Sequence, residues 1–340
     1  MTEDVSTPSA EHHEVRYDPI HGWPVIFAPP RAKRPNSILS PTAQSIPDSN
    51  PFAEHNEYLT TRESYADRQP DTKPNTPGWH VRIIPNKYPV LSAPAGELID
   101  EELRTRNEAT GCHEVIVESP HPVANVCDLS DDQFLRIFLS YRARLKVIAN
   151  EQRYAHVTIF KNQGRAAGAS QPHVHSQLMA TSFVPPMVST EVEYSRRYQL
   201  HMGCSYFQEL IKQEIQLGTR IVLQTDAFSV FCPYASRFAF EVHLLPLQPQ
   251  PHFHLATDHE VREAAHLMKQ TLVRLQKSIG ATEFNYILHT APFADDSSSG
   301  FCWHWEIYPR LSGIAGWELG QGSYVNPIYP EFAAETLVSV

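Results

Sequence analysis

The sequence predicts an α+β protein built of two tandem units, each an antiparallel sheet with a packed helix. Two observations lead there. An order of strands, helix, strand, loop and strand occurs twice along the 340 residues. Each copy also holds one amphipathic stretch opened by a capping signal, Ser130-Asp-Asp-Gln133 in the first and Thr257-Asp-His-Glu260 in the second. The 28 prolines add many non-helical connections.

Residues 1–13 are polar and read as a disordered tail, so the first unit is placed at 14–195 and the second at 196–340. Val15 to Ala28 reads as a turn and a short strand. Residues 36–78, rich in Pro, Ser, Asn and Asp, read as a long irregular connection. Trp79–Val90 is a strand running into a Pro-flanked turn, and Cys112–Glu118 a second strand. The first helix puts Phe134, Ile137, Phe138, Tyr141, Leu145 and Ile148 on one face. His156–Phe160 and the apolar run Leu178-Met179-Ala180 are further strands. In the second copy, Phe228–Pro233 and Phe240–Pro246 precede a helix carrying Val261, Ala264, Leu267, Met268 and Leu272. Phe284–His289 and Cys302–Tyr308 are its last strands.

Composition excludes several function classes. A formal net charge of −10 argues against a general nucleic-acid binder, so an anionic substrate needs a local basic site. No apolar run is long enough to span a bilayer, and the polar N-terminus lacks a secretory pattern. The five scattered cysteines form no CxxC pair, which fits reduced thiols and a cytoplasmic location.

The chemistry concentrates between the last two strands of the first unit, in Gly164-Arg-Ala-Ala-Gly-Ala-Ser-Gln-Pro-His-Val-His-Ser-Gln177. Small residues let backbone N–H groups approach an anion closely. On a strand, His173, His175 and Gln177 share one face. An imidazole beside an anion cradle suggests phosphorus chemistry. A bare His-x-His is equally at home on a surface or as a simple metal pair; the loop before it and Gln177 after it favour the site.

The run Asn162-x-Gly164…Gly168-x-Ser170-x-Pro172-His173-x-His175-x-Gln177 resembles the signature of galactose-1-phosphate uridylyltransferases, the nucleotidyltransferase branch of the histidine-triad superfamily. Val174 stands where that signature usually has proline. The resemblance covers nearly the whole chain. It implies two histidine-triad-like halves, a homodimer with sites near the subunit interface, and substrates that are a nucleotide sugar and a sugar 1-phosphate in carbohydrate (galactose) metabolism. The opening, through Arg31-Ala-Lys-Arg34-Pro35, looks like the family's N-terminal signature, and the resemblance makes Arg31 and Arg34 phosphate contacts. A basic cluster of this kind also suits a solvated loop. Asn86 resembles a nucleotide-pocket residue, and it is equally readable as a turn residue. Asn162, Gly164, Gly168 and His173 complete the expected substrate-binding set.

Two metal sites follow from the resemblance. Relatives hold a structural zinc with two cysteines, a further histidine and the first histidine of His-x-His. Here Asn50, Ala53 and Pro122 occupy those positions, so that zinc is expected to be lost; His55 and His121 are the nearby residues able to rebuild a weaker one. A second site, usually iron, uses one Glu and three His. Glu191, His289 and His304 match it, and Glu306 stands at the third histidine. Two His and two carboxylates suit one Fe or Zn; a hydrogen-bond network is the alternative. Gly316–Pro327 resembles the family's sugar-phosphate segment.

The chemistry expected is attack by neutral His175 on the α-phosphorus of a nucleotide sugar, giving a nucleotidyl-histidine and a sugar 1-phosphate, in ping-pong order. The other ring nitrogen is expected to donate to a backbone carbonyl. Ser170 and Gln177 hold the non-bridging oxygens. Gln177 cannot act as an acid, which favours transfer over hydrolysis. Transfer to a hexose 1-phosphate, as in a UDP-glucose–hexose-1-phosphate uridylyltransferase, is the first reading; transfer to inorganic phosphate, as in an NDP-sugar phosphorylase using ADP-glucose, is the alternative. A non-catalytic nucleotide-binding protein is the third.

Overall fold

The computed structural model describes residues 12–33, 45–47, 49–91, 99–101, 104–106, 108–280, 282–295 and 299–340. Most of the expected tail (residues 1–11) and Arg34 lie outside them.

The chain opens with a hairpin, β1 (Glu14–Tyr17) and β2 (Pro24–Phe27). The segment read as an irregular connection contains a strand, β3 (Tyr65–Arg68), which pairs with β4 (Trp79–Pro85). Its sequence, Tyr-Ala-Asp-Arg, is too short to show a period. A two-stranded hairpin, β5 (Ile99–Glu101) and β6 (Arg104–Arg106), precedes β7 (Gly111–Val117). Then come α1 (Asp131–Asn150), β8 (His156–Gln163) and β9 (His175–Thr181). Two helices the sequence reading did not single out follow, α2 (Pro186–Met202) and α3 (Tyr206–Leu217). The second copy is β10 (Ile221–Gln224), β11 (Phe228–Phe231), β12 (Val242–Pro246), α4 (Asp258–Ile279), β13 (Phe284–His289) and β14 (His304–Pro309). The chain ends with α5 (Gly316–Gln321), β15 (Tyr324–Asn326), which pairs in parallel with β2, and α6 (Pro330–Val338).

The repeat is real in topology, but the two sheets are one. Ten strands run in the order β10-β11-β12-β14-β13-β8-β9-β7-β4-β3, all antiparallel. Each half supplies five strands in the same arrangement. They meet where β8 pairs with β13, with Phe160 opposite Ile287 and Asn162 opposite Asn285. Joining edge to edge pairs the backbone groups that each half alone would leave as a bare edge.

Both predicted helices pack on one face of this sheet. All six expected residues of α1 and all five of α4 are buried, and they meet Ile159, Leu178, Tyr286, Leu288 and Ile307 in a single core. The two caps differ. Thr257 and Glu260 form the full reciprocal box, whereas Ser130 only accepts from the Gln133 N–H. The Gln133 side chain instead donates to the carbonyls of His80 and Glu118, tying the helix start to the sheet. Because strand side chains alternate, the residues between the core positions face the other way. That opposite face carries His175, Gln177, Asn162, His289, His304 and Glu306.

Chain ends are fastened by a buried ion network. Glu331 on α6 accepts from Arg16 of β1 (2.9 and 3.2 Å) and from Arg220 (2.9 Å), which also pairs with Glu214. Glu331→Ala leaves two buried guanidiniums short of a partner, at a cost of about 3 kcal/mol. Denaturant unfolding should show this loss, and the exposed control Glu335→Ala should not.

Candidate active site

β9 begins at His175, so His173 and Val174 belong to the end of the loop that leaves β8. Gly164 starts that loop at φ +84°, and a Cβ there would lie 2.2 Å from Glu283 Cγ, so only glycine fits. Asn285 spans the junction of the halves: its Nδ2 donates to Asn162 Oδ1 (2.8 Å) and to the Ala167 carbonyl (2.9 Å).

His175 is held by its surroundings in one tautomer. Its Nδ1 lies 2.8 Å from the His173 carbonyl, which can only accept. The proton is therefore on Nδ1 and the lone pair on Nε2, as expected from the chemistry. Burial lowers the His175 pKa below its ordinary 6.5, keeping the ring neutral. Behind it, buried Lys161 donates to the His175 carbonyl (2.9 Å) and to Glu118 (2.5 Å). Tyr141 joins Glu118, Ser176 and Tyr286, each at 2.8 Å. Phe52 packs 5.4 Å from the imidazole.

Two cavities meet at His175. One, of about 370 Å³, is lined by Asn162, Gly164, His173, Lys161 and Gln171. The other, of about 330 Å³, is lined by Asn86, Lys87, Tyr88, Ser170, Gln171 and Gln177. Gln177 is oriented by His113, which the sequence reading missed. The Val90 N–H donates to His113 Nδ1 (3.2 Å), so Nε2 carries the proton and donates to Gln177 Oε1 (2.8 Å). The Gln177 amide NH₂ is left for a ligand. Arg31 sits on a short 3₁₀ turn, Pro29–Lys33, and is exposed; it lines neither cavity.

The residues at the family's zinc position do not fit zinc. Asn50 Nδ2 donates to His173 Nδ1 (2.7 Å) and His173 Nε2 donates to the Ser119 carbonyl (2.8 Å), so both ring nitrogens are engaged. Burial lowers the His173 pKa to about 4, consistent with a neutral ring. Ala53 and Pro122 offer no side-chain ligand atom, and His55 and His121 are exposed.

The second-half cluster does come together. Glu191 of α2, His289 of β13, and His304 and Glu306 of β14 are buried, with donor atoms all within 4.8 Å of one another. His304 opens β14 as His175 opens β9, and its Nδ1 donates to the Cys302 carbonyl (2.9 Å) in the same way. Its Nε2 lone pair then faces Glu306 Oε1 at 3.6 Å, two acceptors that a shared cation would satisfy. His289 Nδ1 bonds Glu191 (2.9 Å). Burial opposes charge on His289, but Glu191 and Glu306 outweigh it and raise the pKa to about 9. This donor set can hold a metal. Outside both sites, none of the five cysteines is in a disulfide, and no helix among the described residues is long and apolar enough to cross a membrane.

Two outcomes test this geometry. With the His175 pKa depressed, the neutral ring persists below pH 6.5, so the midpoint of its NMR titration should lie below that value. Asn50→Ala strands the buried His173 Nδ1 and should cost about 1–3 kcal/mol in denaturant unfolding.

Comparison with known proteins places the whole chain in one family. Residues 5–185 match the galactose-1-phosphate uridyl transferase N-terminal domain model, and residues 190–314 the C-terminal one. An ADP-glucose phosphorylase of Arabidopsis thaliana is 33% identical over 336 residues, spanning 96% of this chain and 93% of that protein. A crystal structure of an ADP-glucose phosphorylase from the same plant, with bound ADP-glucose, superposes with a TM-score of 0.80 at 31% identity, covering 97% of this chain and 99% of that one. The galactose-1-phosphate uridylyltransferase of Haemophilus influenzae is 27% identical, spanning 88% of this chain and 85% of its own length. The chain belongs to the galactose-1-phosphate uridyl transferase family.

Proposed function

We propose that this protein is a nucleotidyltransferase that works through a covalent nucleotidyl-His175, with ADP-glucose as donor and inorganic phosphate as acceptor. The observation that carries the reading is the fixed tautomer of His175: Nδ1–H is committed to the His173 carbonyl, which leaves the Nε2 lone pair as nucleophile. The phosphorylase form of the reaction is supported by similarity to ADP-glucose phosphorylase over nearly the full chain.

In the first half-reaction Nε2 attacks the α-phosphorus. A P–N bond forms, the bond from the α-phosphorus to the bridging oxygen breaks, and glucose 1-phosphate leaves with that electron pair. The leaving group is a stable phosphate anion and needs no acid, consistent with Gln177 rather than a third histidine. Gln177 NH₂ and the Ser170 hydroxyl, on the wall of one cavity, stabilise the non-bridging oxygens. Loop N–H groups and Asn162 serve from the other cavity. As charge builds on the imidazole, the His173 carbonyl accepts a stronger hydrogen bond from Nδ1–H. In the second half-reaction phosphate attacks the same phosphorus, the P–N bond breaks, and ADP leaves with His175 neutral again. Asn86, Lys87 and Tyr88 flank the nucleotide end.

His173 acts by orientation: Asn50 and Ser119 lock its ring, and its carbonyl in turn locks His175. Glu191, His289, His304 and Glu306 would hold one Fe or Zn, whose contribution is to neutralise their charge and brace the second half. A homodimer fits the exposed apolar residues Ile314, Trp317 and Leu319 around α5, and a cytoplasmic setting fits the five free thiols. The second reading, uridylyl transfer to a hexose 1-phosphate, is supported by the relatives named galactose-1-phosphate uridylyltransferase.

Intact-protein mass spectrometry after mixing with ADP-glucose and, separately, UDP-glucose tests the proposal. An AMP increment in wild type, absent in His175→Ala and discharged by phosphate, is expected. A UMP increment discharged only by a hexose 1-phosphate would establish the second reading instead. A bound nucleotide with no adduct would leave a binding protein.

A further inference from the structure

One imidazole beside the second-half cluster has a ring nitrogen with no partner. His21 lies in the turn between β1 and β2, far in sequence from the other cluster residues. Its Nδ1 is 3.0 Å from Asp18 Oδ1, which also accepts the His21 and Ile20 backbone N–H groups. The ring stacks on Trp23 at 4.0 Å and 4°, so its direction is set. Its Nε2 is buried and makes no hydrogen bond. It sits 3.8 Å from Glu191 Oε1 and shares a small cavity with Glu191, His304 and Glu306.

A buried nitrogen without a partner is costly unless something satisfies it. The 3.8 Å separation from Glu191 is too long for a hydrogen bond. It suits two ligands of one ion, since donors each about 2.1 Å from a metal stand roughly 3–4 Å apart. The carboxylate on the far nitrogen completes the pattern, because a metal-binding histidine usually donates its other N–H to such a group. His289 Nδ1 is bonded within the cluster to Glu191, while His304 and Glu306 are committed on their outer sides. His304 spends Nδ1 on Cys302, and Glu306 Oε2 is taken by Tyr308 and Arg237. His304 Nε2 and Glu306 Oε1 are left facing inward; His243 Nε2, bonded to Glu241 at 3.1 Å, stands 3.5 Å from that same Glu306 oxygen.

We propose that His21 is a ligand of a first-row divalent cation, zinc or iron, held with Glu191, His289, His304 and Glu306. The inference rests on the metal reading of that cluster. It adds a third imidazole, supplied by the N-terminal hairpin, to a set that otherwise has two. The cation then staples the β1–β2 turn to α2, β13 and β14.

The test uses untagged full-length protein. Wild type, His21→Ala, His21→Gln and the exposed-histidine control His259→Ala are stripped with chelator and reloaded with Zn²⁺ or Co²⁺. Bound metal per chain, affinity by competition with a chromophoric chelator, and the visible Co²⁺ spectrum are measured, with circular dichroism to confirm folding. Wild type and the control should bind one equivalent. Both His21 variants should bind more weakly by at least the roughly 10–100-fold typical of losing an outer partner, with a changed Co²⁺ spectrum. If the Ala variant fails to fold, the Gln variant carries the same comparison. Unchanged affinity and spectrum in a folded His21 variant overturn the assignment while leaving the cluster as a metal site. A wild type that takes up neither ion overturns both.

Discussion

The hydrogen bond from His175 Nδ1–H to the His173 carbonyl is the contact on which the site depends. A neutral imidazole offers one donor and one acceptor, so committing the donor decides where the acceptor points. The carbonyl is a useful partner because it cannot donate and leaves no second tautomer. Its own position is fixed in turn, since the His173 ring is clamped between the Asn50 amide and the Ser119 carbonyl. Lys161 holds the carbonyl two residues further on, that of His175 itself. The His175 imidazole is thus oriented through main-chain groups, fixed by the Asn50 and Lys161 side chains and the Ser119 carbonyl from three separate segments.

This clamp also gives the buried Asn50 a structural role. A metal at that place would take the His173 Nδ1 lone pair; the Asn50 Nδ2 takes it here with a 2.7 Å hydrogen bond. The same side chain accepts the Phe52 N–H through Oδ1, and the Asn50 backbone carbonyl accepts from the Asn56 amide. One buried amide satisfies the ring and closes the local turn, and Phe52 is left packed against both histidines.

The two halves repeat one local geometry in different surroundings. His304 repeats the Nδ1-to-carbonyl bond of His175, and Glu306 follows it at the spacing of Gln177. What differs is the company. Around His175 the donors are a glutamine amide, asparagines and a glycine-rich loop, which suit phosphate oxygens. Around His304 the neighbours are carboxylates and imidazoles, which suit a cation. Because β8 and β13 pair at the middle of a continuous sheet, both sites lie on the face opposite α1 and α4. Asn285, from the second half, directly braces the loop of the first.

By itself the sequence determined what local periodicity and spacing encode. Alternation and helical spacing located α1, α4 and most of the strands, including their buried faces, because burial of one side imposes a period. The His-x-His-x-Gln run placed His175 and Gln177, whose proximity needs only a strand. The order of elements revealed the repeat. Only the tertiary structure decided that the two sheets are one, since edge pairing leaves no mark on composition. It also decided the partners distant in sequence: His113 on Gln177, Asn50 on His173, Asn285 on Asn162, and His21 beside Glu191. The half-box at Ser130 shows the same limit, because Gln133 matched the local signal and still turned to carbonyls that the fold brought closer. Polar side chains seek whichever donor or acceptor burial leaves beside them, and that choice is made by packing over long separations.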